Sequence, residues 1–230
     1  MSQKVVCFDL DDTLYKEIDF LKSGYHKVSE LVAKRHGLGS HEVYSRLLSW
    51  YREGKNPFET LNETYGLDNP IKEYLDIYRY HQPSLHLSSE VAQTLTALKD
   101  AGCVLGIITD GREITQKQKI EVLGLEEWIS EKLVQINEDK NYFKPNHWSF
   151  DRMMLKCFEM NVEPDAVFYY VGDNTEKDFL APNQMGWKTI CLLDDGRNIH
   201  KQSFDKPKEY LPQHTIKSIV ELITIVDNRG

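Results

Sequence analysis

The chain has 230 residues, with 28 Lys and Arg against 36 Asp and Glu, which gives a formal net charge of −8. Hydrophobic residues make up 40% and charged residues 28% of the chain, a balance that is typical of folded globular proteins and not of disordered ones. The negative charge argues against a nucleic-acid or membrane-surface partner, because phosphate backbones and lipid headgroups select clusters of Lys and Arg.

Neither a membrane-spanning helix nor a disulfide framework is expected. No apolar run approaches the roughly 20 residues that a membrane-spanning helix needs, and the run Val5–Phe8 is too short for the core of a signal peptide. The four cysteines, Cys7, Cys103, Cys157 and Cys191, match the spacing of neither a zinc site nor a disulfide pattern. These features predict a cytoplasmic protein with reduced cysteines and no membrane partner.

Short apolar runs, each followed by turn residues and a helical pattern, recur along the chain. The runs predicted as strands are Lys4–Phe8, Cys103–Ile108, Lys132–Ile136, Ala166–Val171 and Lys188–Leu193. The helices predicted between them are Ser89–Ala101, Glu113–Leu123, His147–Met160 and Glu176–Met185. Unalternated runs rich in Val and Ile suit strands that are buried on both faces of a parallel sheet. The alternation therefore predicts an α/β fold, a Rossmann-like parallel sheet with helices on both faces.

The first crossover is too long for a simple strand–helix–strand unit. Residues 15–87 contain no convincing strand, whereas such a crossover needs only about a dozen residues. Apolar positions at helical spacing, among them Val43, Leu47 and Tyr51, predict several amphipathic helices there. We therefore predict a core formed by residues 1–14 and 88–230, and an inserted helical cap formed by residues 15–87.

The sequence turns polar after the last predicted strand. Residues 194–213 are expected to form a surface loop, since they are polar and contain Pro207 and Pro212. An amphipathic helix that packs on the sheet is expected to follow. The residues that share its apolar face are Ile216, Ile219, Val220, Ile223 and Val226.

Carboxylates follow two of the predicted strands at the point where each strand ends. Asp9 and Asp11 come directly after the first strand, and Asp173 and Asp178 come after the fourth. Ligands of open α/β sheets bind at the carboxyl ends of the strands, so these groups are expected to converge there. Clustered carboxylates repel one another unless a cation or a proton offsets their charge. Because Mg²⁺ prefers carboxylate, water and phosphate oxygens, the pattern predicts a Mg²⁺ site.

Two further strand ends carry groups that suit a phosphate. The segment Thr109-Asp110-Gly111 offers a hydroxyl and backbone N–H groups for phosphate oxygens. Lys144, which precedes a proline, offers an ammonium group. Each group alone would be unremarkable, but four such elements at four strand ends indicate a site for a small phosphorylated ligand.

Together these motifs resemble those of the haloacid dehalogenase superfamily, in the phosphatase branch that carries a helical cap after the first strand. The matching residues, in order, are Asp9-x-Asp11-x-Thr13, Thr109, Lys144, and Gly172-Asp173 followed by Asp178. The resemblance covers most of the chain. Within the superfamily, the sequence resembles phosphoglycolate phosphatases and nucleotidases. It implies a Mg²⁺-dependent phosphatase acting on a small phosphorylated metabolite, such as a sugar phosphate, a nucleoside monophosphate or phosphoglycolate.

The resemblance also implies the chemical roles of three aspartates. Asp9 would be the nucleophile that forms an aspartyl-phosphate. Asp11 would be the general acid and then the general base. Mg²⁺ would be held by the carboxylates of Asp9 and Asp173 and by the backbone carbonyl of Asp11. Because an acid at neutral pH needs a raised pKa, we expect Asp9 and a closed cap to raise the pKa of Asp11.

The resemblance implies that the remaining motif residues bind phosphate or orient the groups around the metal. Those that would bind phosphoryl oxygens are Thr109, Asp110, Gly111 and Lys144. Lys144 would also neutralise charge on the nucleophile and on the transferring group. Asn174 and Asp178 would orient the metal-bound waters and Lys144.

Two other functions stay open from the sequence. A phosphosugar mutase of the same superfamily shares this core chemistry, and a non-catalytic phospholigand-binding module could keep the same fold. A dehalogenase is not expected, since that branch lacks the second aspartate of the first motif, which is present here as Asp11. The protein is expected to be a monomer or a homodimer.

Overall fold

The computed structural model describes residues 2–227, and within them six parallel strands form one sheet. The strands are β1 (Lys4–Phe8), β2 (Val104–Asp110), β3 (Val134–Asn137), β4 (Val167–Gly172), β5 (Lys188–Leu192) and β6 (His214–Ile216). Their spatial order is β3-β2-β1-β4-β5-β6, and every neighbouring pair is parallel. The structure confirms the predicted Rossmann-like α/β fold, with β1 at the centre of the sheet.

Helices occupy the crossovers and the long insertion. The insertion contains α1 (Glu17–His36), α2 (Ser40–Arg52), α3 (Pro57–Tyr65) and α4 (Ile71–Tyr80). The later helices are α5 (Ser89–Asp100), α6 (Glu113–Val122), α7 (Trp148–Glu159), α8 (Leu180–Gln184) and α9 (Glu221–Asp227). Across residues 2–227, every helix is too short or too polar to cross a membrane.

The central strand explains why the site residues are held firmly. The side chains from Val5 to Phe8 in β1 are fully buried, as expected for a strand covered on both faces. On one of these faces, Phe150 and Met153 of α7 pack in the same apolar cluster as Cys7. The backbone N–H of Asp9 still donates to the carbonyl of Val171, at 2.8 Å, so the first residue beyond β1 is fixed to the neighbouring strand.

The chain divides into two compact units. One contains residues 1–17 and 86–230, with the sheet, and the other contains residues 18–85. The sequence predicts these boundaries near residues 15 and 87. In the second unit, the aromatic side chains of Tyr25, Phe58 and Tyr78 contact one another edge to face or at a tilt and form its core.

The helix predicted over Glu176–Met185 is shorter than expected, because α8 begins only at Leu180. Side chains at the start of the predicted helix hydrogen-bond to local backbone N–H groups instead. Asn174 accepts from the N–H of Glu176, at 2.9 Å, and Asp178 accepts from the N–H of Asn174, at 2.8 Å. Such bonds compete with helical ones, so the carboxylate loop after β4 stays non-helical.

The prediction for the C-terminal segment was partly wrong. Ile216 belongs to the short strand β6, which pairs with β5, and Val220 is 41% exposed. The helix begins at Glu221, buries Leu222 and Val226, and packs against α5. A strand of three residues is too short to show a periodic pattern, so its apolar residue was read as part of the helix that follows.

Candidate active site

The ends of four strands bring the predicted site residues together. Asp9 follows β1, Thr109 lies near the end of β2, and Asp173 follows β4. Lys144 lies on the segment after β3 and reaches Asp9, with 3.0 Å between its Nζ and the Oδ1 of Asp9. All four side chains are buried, so the convergence predicted from the strand ends is present in the structure.

Three buried carboxylates form the acidic centre of this site. One oxygen from each of Asp9, Asp173 and Asp178 lies within 4.8 Å of the other two. Burial raises the pKa of Asp9 to about 6, with Lys144 opposing this shift and Asp178 adding to it. Burial, together with the charges of Asp178 and Asp9, raises the pKa of Asp173 to about 9. The ionised forms of Asp9 and Asp173 are therefore disfavoured in this cluster when no cation is bound.

Lys144 is the cation at the centre of the cluster. Its Nζ lies 3.0 Å from Asp9 Oδ1 and 2.8 Å from Asp178 Oδ1, and it donates to the hydroxyl of Tyr170 at 2.7 Å. Although burial alone would lower it, the pKa of Lys144 is raised well above its ordinary value by Asp178 and Asp9. The ammonium group therefore stays charged, with ion pairs to two carboxylates and a hydrogen bond to one hydroxyl.

Asp178 is held against the backbone that carries Asp173. Its Oδ2 accepts from the N–H groups of Asp173, at 3.1 Å, and Asn174, at 2.8 Å. A Cβ atom at position 172 would lie 2.5 Å from this oxygen, so Gly172 is required for the approach. Both oxygens of Asp178 thus have protein partners, which fits the supporting role that the resemblance implied.

Asp11 has surroundings that differ from those predicted. Lys119 Nζ lies 2.7 Å from its Oδ1, Gln116 donates to its Oδ2 at 2.9 Å, and the hydroxyl of Tyr15 also donates to it. Burial raises the pKa of Asp11, but the charge of Lys119 and the three donors outweigh it, so the pKa lies below its ordinary value. The expectation that Asp9 would raise the pKa of Asp11 was therefore wrong, because the positive charge of Lys119 and the three donors lower it.

The phosphate-binding segment predicted after β2 is partly occupied by protein partners. Thr109 Oγ1 accepts from Gln116 at 2.7 Å, which leaves its own hydroxyl hydrogen to be donated elsewhere. Asp110 pairs with Lys177, with 3.2 Å between Oδ2 and Nζ. The N–H of Gly111 donates to the carbonyl of Asn137 at 2.8 Å. This N–H would have to leave that bond to reach a phosphoryl oxygen, whereas the hydroxyl of Thr109 is already available.

Several residues of the site were missed in the sequence. Gln116 and Lys119 are 2% and 3% exposed and lie three residues apart, on one face of α6. Polar residues on the buried face of a helix are a signal that could have been noticed. Tyr170 lies in an apolar strand, and no sequence pattern distinguishes it from its neighbours. The same is true of Asn198, which lies in a polar loop and donates to Asp173 at 2.8 Å.

The donor set fits a hard divalent cation such as Mg²⁺. The buried carboxylates supply oxygen ligands, which Mg²⁺ prefers, and their pKa values are raised mainly by burial, which a bound cation would offset. Asp9 Oδ1 accepts from the N–H of Leu10 and pairs with Lys144, so these contacts leave its Oδ2 unused. Asp9 and Asp173 are therefore the carboxylates best placed to hold a cation.

Comparisons with known proteins show the family to which this chain belongs. Residues 6–192 match the family described as haloacid dehalogenase-like hydrolase. The chain is similar to the glyceraldehyde 3-phosphate phosphatase of Methanocaldococcus jannaschii, with 29% identity over 98% of this chain and 97% of that protein. It is also similar to the phosphoglycolate phosphatase of Aquifex aeolicus, with 26% identity over 98% and 97% of the two chains. A solved structure of an HAD phosphatase from Thermococcus onnurineus shares the fold, with a TM-score of 0.60, 23% identity and 98% of each chain covered.

Proposed function

Because this chain belongs to the haloacid dehalogenase-like hydrolase family, we propose that it is a Mg²⁺-dependent phosphatase that hydrolyses the phosphate monoester of a small metabolite. One observation carries the proposal. The buried carboxylates of Asp9 and Asp173 lie beside the ammonium group of Lys144, and Asp11 lies two residues from Asp9 with its own partners. This arrangement supplies a nucleophile, a cation site and an acid–base group at one edge of the sheet.

Asp9 and Asp11 divide the chemistry between them. An oxygen of Asp9 attacks phosphorus while the bond from phosphorus to the leaving oxygen breaks, which forms an aspartyl-phosphate on Asp9. Asp11 gives a proton to the leaving oxygen from its protonated form, which its lowered pKa makes the minor one, and becomes ionised in doing so. A water molecule then attacks the same phosphorus, Asp11 takes a proton from this water, and phosphate leaves with Asp9 restored. The lowered pKa of Asp11 supplies the ionised form that the second step needs.

The other residues of the site bind Mg²⁺ and phosphate and neutralise negative charge. When bound, Mg²⁺ would be held by Asp9, Asp173 and the backbone carbonyl of Asp11, and it would offset charge on the phosphoryl group. Lys144 keeps its charge because Asp178 and Asp9 surround it, and it stabilises the developing charge on Asp9. The hydroxyl of Thr109, oriented by Gln116, donates to a phosphoryl oxygen.

The substrate class rests on the relatives. The two named phosphatases act on glyceraldehyde 3-phosphate and on phosphoglycolate, which are small phosphate esters. A cytoplasmic location is supported by the four cysteines, all of which are free and buried, as expected in a reducing compartment.

The test is phosphate release from a panel of metabolites, with Mg²⁺ or with EDTA. The panel contains glyceraldehyde 3-phosphate, phosphoglycolate, sugar phosphates, nucleoside monophosphates and p-nitrophenyl phosphate. We expect Mg²⁺-dependent release by the wild type and background release by Asp9→Asn, because the amide is a poor nucleophile. The matched control is Asp100→Asn, an exposed aspartate at the end of α5, which should keep wild-type activity.

Two results would contradict a phosphatase and separate the alternatives. Phosphorylation of Asp9 from a sugar phosphate, with transfer to a second sugar hydroxyl in place of water, would indicate a phosphosugar mutase. Binding of phosphorylated ligands without phosphorylation of Asp9 and without phosphate release would indicate a non-catalytic binding module.

A further inference from the structure

The polar segment of residues 194–202, which was predicted as part of a surface loop, reaches the acidic centre of the site. Asn198 Nδ2 donates to Asp173 Oδ2 at 2.8 Å. Gln202 Nε2 donates to the backbone carbonyl of Asp173 at 2.7 Å. The segment therefore contacts both the side chain and the backbone of a carboxylate that the proposed function assigns to Mg²⁺.

Asn198 is itself held in place from several directions. Its backbone N–H donates to Asp194 Oδ1 at 3.0 Å, and the N–H of the next residue, Ile199, donates to Asp12 Oδ2 at 2.9 Å. Asp12 follows β1 and Asp173 follows β4. The segment is thus tied to both acidic strand ends, and the position of Asn198 between them is set by backbone as well as side-chain bonds.

The neighbours of Asn198 determine which way its amide group points. Lys16 Nζ lies 2.7 Å from Asn198 Oδ1, and an ammonium group can only donate. The amide oxygen therefore faces Lys16, and the amide nitrogen, which can only donate, faces Asp173. Lys16 is kept in this position by Asp195, with 3.1 Å between Nζ and Oδ1.

This arrangement suits the support of a metal ligand. The amide of Asn198 occupies one oxygen of Asp173 and leaves the other for a cation. Because the amide is neutral, it orients the carboxylate without neutralising it, whereas a Lys or Arg at this position would compete with the cation for its charge. Groups that orient metal ligands in this way typically change metal affinity by about 10–100-fold when they are removed.

We propose that Asn198 is a positioning residue for Asp173, and that the affinity of the site for Mg²⁺ depends on the hydrogen bond from its amide group. Lys16 contributes through Asn198, since it fixes the orientation of the amide. The inference rests on the Mg²⁺ assignment of the proposed function, but it is tested by metal binding and not only by activity.

The experiment measures Mg²⁺ binding to the full chain by isothermal titration calorimetry. Asn198→Leu keeps the size of the side chain and removes the donor, so we expect a Kd about 10-fold higher than that of the wild type. Lys16→Met should raise the Kd by a smaller factor, because the donor remains and only its orientation is freed. The control is His200→Ala, an exposed residue of the same segment; its Kd should equal that of the wild type.

A second readout is the Mg²⁺ concentration that gives half-maximal phosphate release, which should rise by the same factor as the Kd. If Asn198→Leu does not fold, as judged by circular dichroism, Asn198→Ala is measured in its place. Equal Kd values for the wild type and the folded variant would overturn the inference, as would an equal loss in His200→Ala. A wild type that releases phosphate but binds no Mg²⁺ would overturn the metal assignment and this inference with it.

Discussion

The carboxylates at the strand ends are of one chemical type, but their neighbours give them different protonation behaviour. Asp9 and Asp173 are buried beside other carboxylates, and their pKa values are raised to about 6 and about 9. Asp11 is paired with Lys119, and its pKa is lowered. Opposite shifts in neighbouring groups allow one site to hold both a metal-binding set and a separate base.

At this scale we predict that Lys119→Met slows the hydrolysis of the phosphorylated enzyme. Without the Lys119 charge, burial favours the protonated form of Asp11, which cannot take a proton from water. Attack by Asp9 on p-nitrophenyl phosphate needs little help from an acid, because p-nitrophenolate is a good leaving group. We therefore expect a burst of one equivalent of p-nitrophenolate, followed by a steady-state rate about 10²-fold lower than that of the wild type.

Rapid-mixing absorbance measurements check this prediction. The control is Lys117→Met on the same helix, since Lys117 is exposed and pairs with Glu113 at 2.7 Å; it should behave like the wild type. A Lys119→Met protein that folds and shows no burst, with both steps slowed equally, would contradict the role given to Lys119.

At the scale of elements, the packing of α1 against α4 depends on the absence of a side chain at Gly24. A Cβ atom there would lie 2.5 Å from Cδ2 of Tyr78 and 3.3 Å from Cε1 of His81. The ring of Tyr78 also contacts Phe20 and Phe58. Tyr78 is half-buried, and its ring can move aside only by giving up these contacts.

We predict that Gly24→Ala lowers the free energy of unfolding by about 1–3 kcal/mol, the usual effect of overpacking. On helix propensity alone, the same change would stabilise the protein by about 1 kcal/mol, so the sign of the effect tests the packing. Urea denaturation measures it. In a Tyr78→Leu background, which removes part of the ring, Gly24→Ala should be neutral or stabilising. Destabilisation of equal size in both backgrounds would show that Tyr78 is not the obstacle.

At the scale of the whole molecule, the acidic centre opposes folding when no cation is bound. Asp9, Asp173 and Asp178 are buried within 4.8 Å of one another, and Lys144 is the cation that contacts two of them. Such a functional site lowers the free energy of unfolding of the metal-free protein. A ligand that binds only the folded state restores stability, by about 2.7 kcal/mol at 100 times its Kd.

We therefore predict that Mg²⁺ raises the thermal midpoint of the wild type relative to EDTA, whereas Asp173→Asn shows no rise. In EDTA near pH 7, Asp173→Asn should be at least as stable as the wild type. With a pKa of about 9, Asp173 must take up a proton when the protein folds, whereas the amide is already neutral and its oxygen can still accept from Asn198. Differential scanning calorimetry makes the comparison. A thermal midpoint for Asp173→Asn in EDTA that is clearly below that of the wild type would show that the buried carboxyl group of Asp173 does not oppose folding.

The sequence by itself determined the α/β fold and the place of the site. Buried parallel strands leave long apolar runs, and the groups that follow such runs must meet at one edge of the sheet, so Asp9, Thr109, Lys144 and Asp173 could be assigned together. The short strand β6 could not be recognised, since its three residues show no period.

Only the tertiary structure decided what surrounds these groups. Lys119 contacts Asp11, although the two are 108 residues apart in the sequence. Asn198 contacts Asp173 at a separation of 25 residues. No local pattern encodes such a contact, because it depends on how α6 and the loop after β5 pack. The direction of a pKa shift depends on the nearest charge, and that charge is known only once the distances are known. For this reason Asp11 was identified from the sequence, while its ionised state was not.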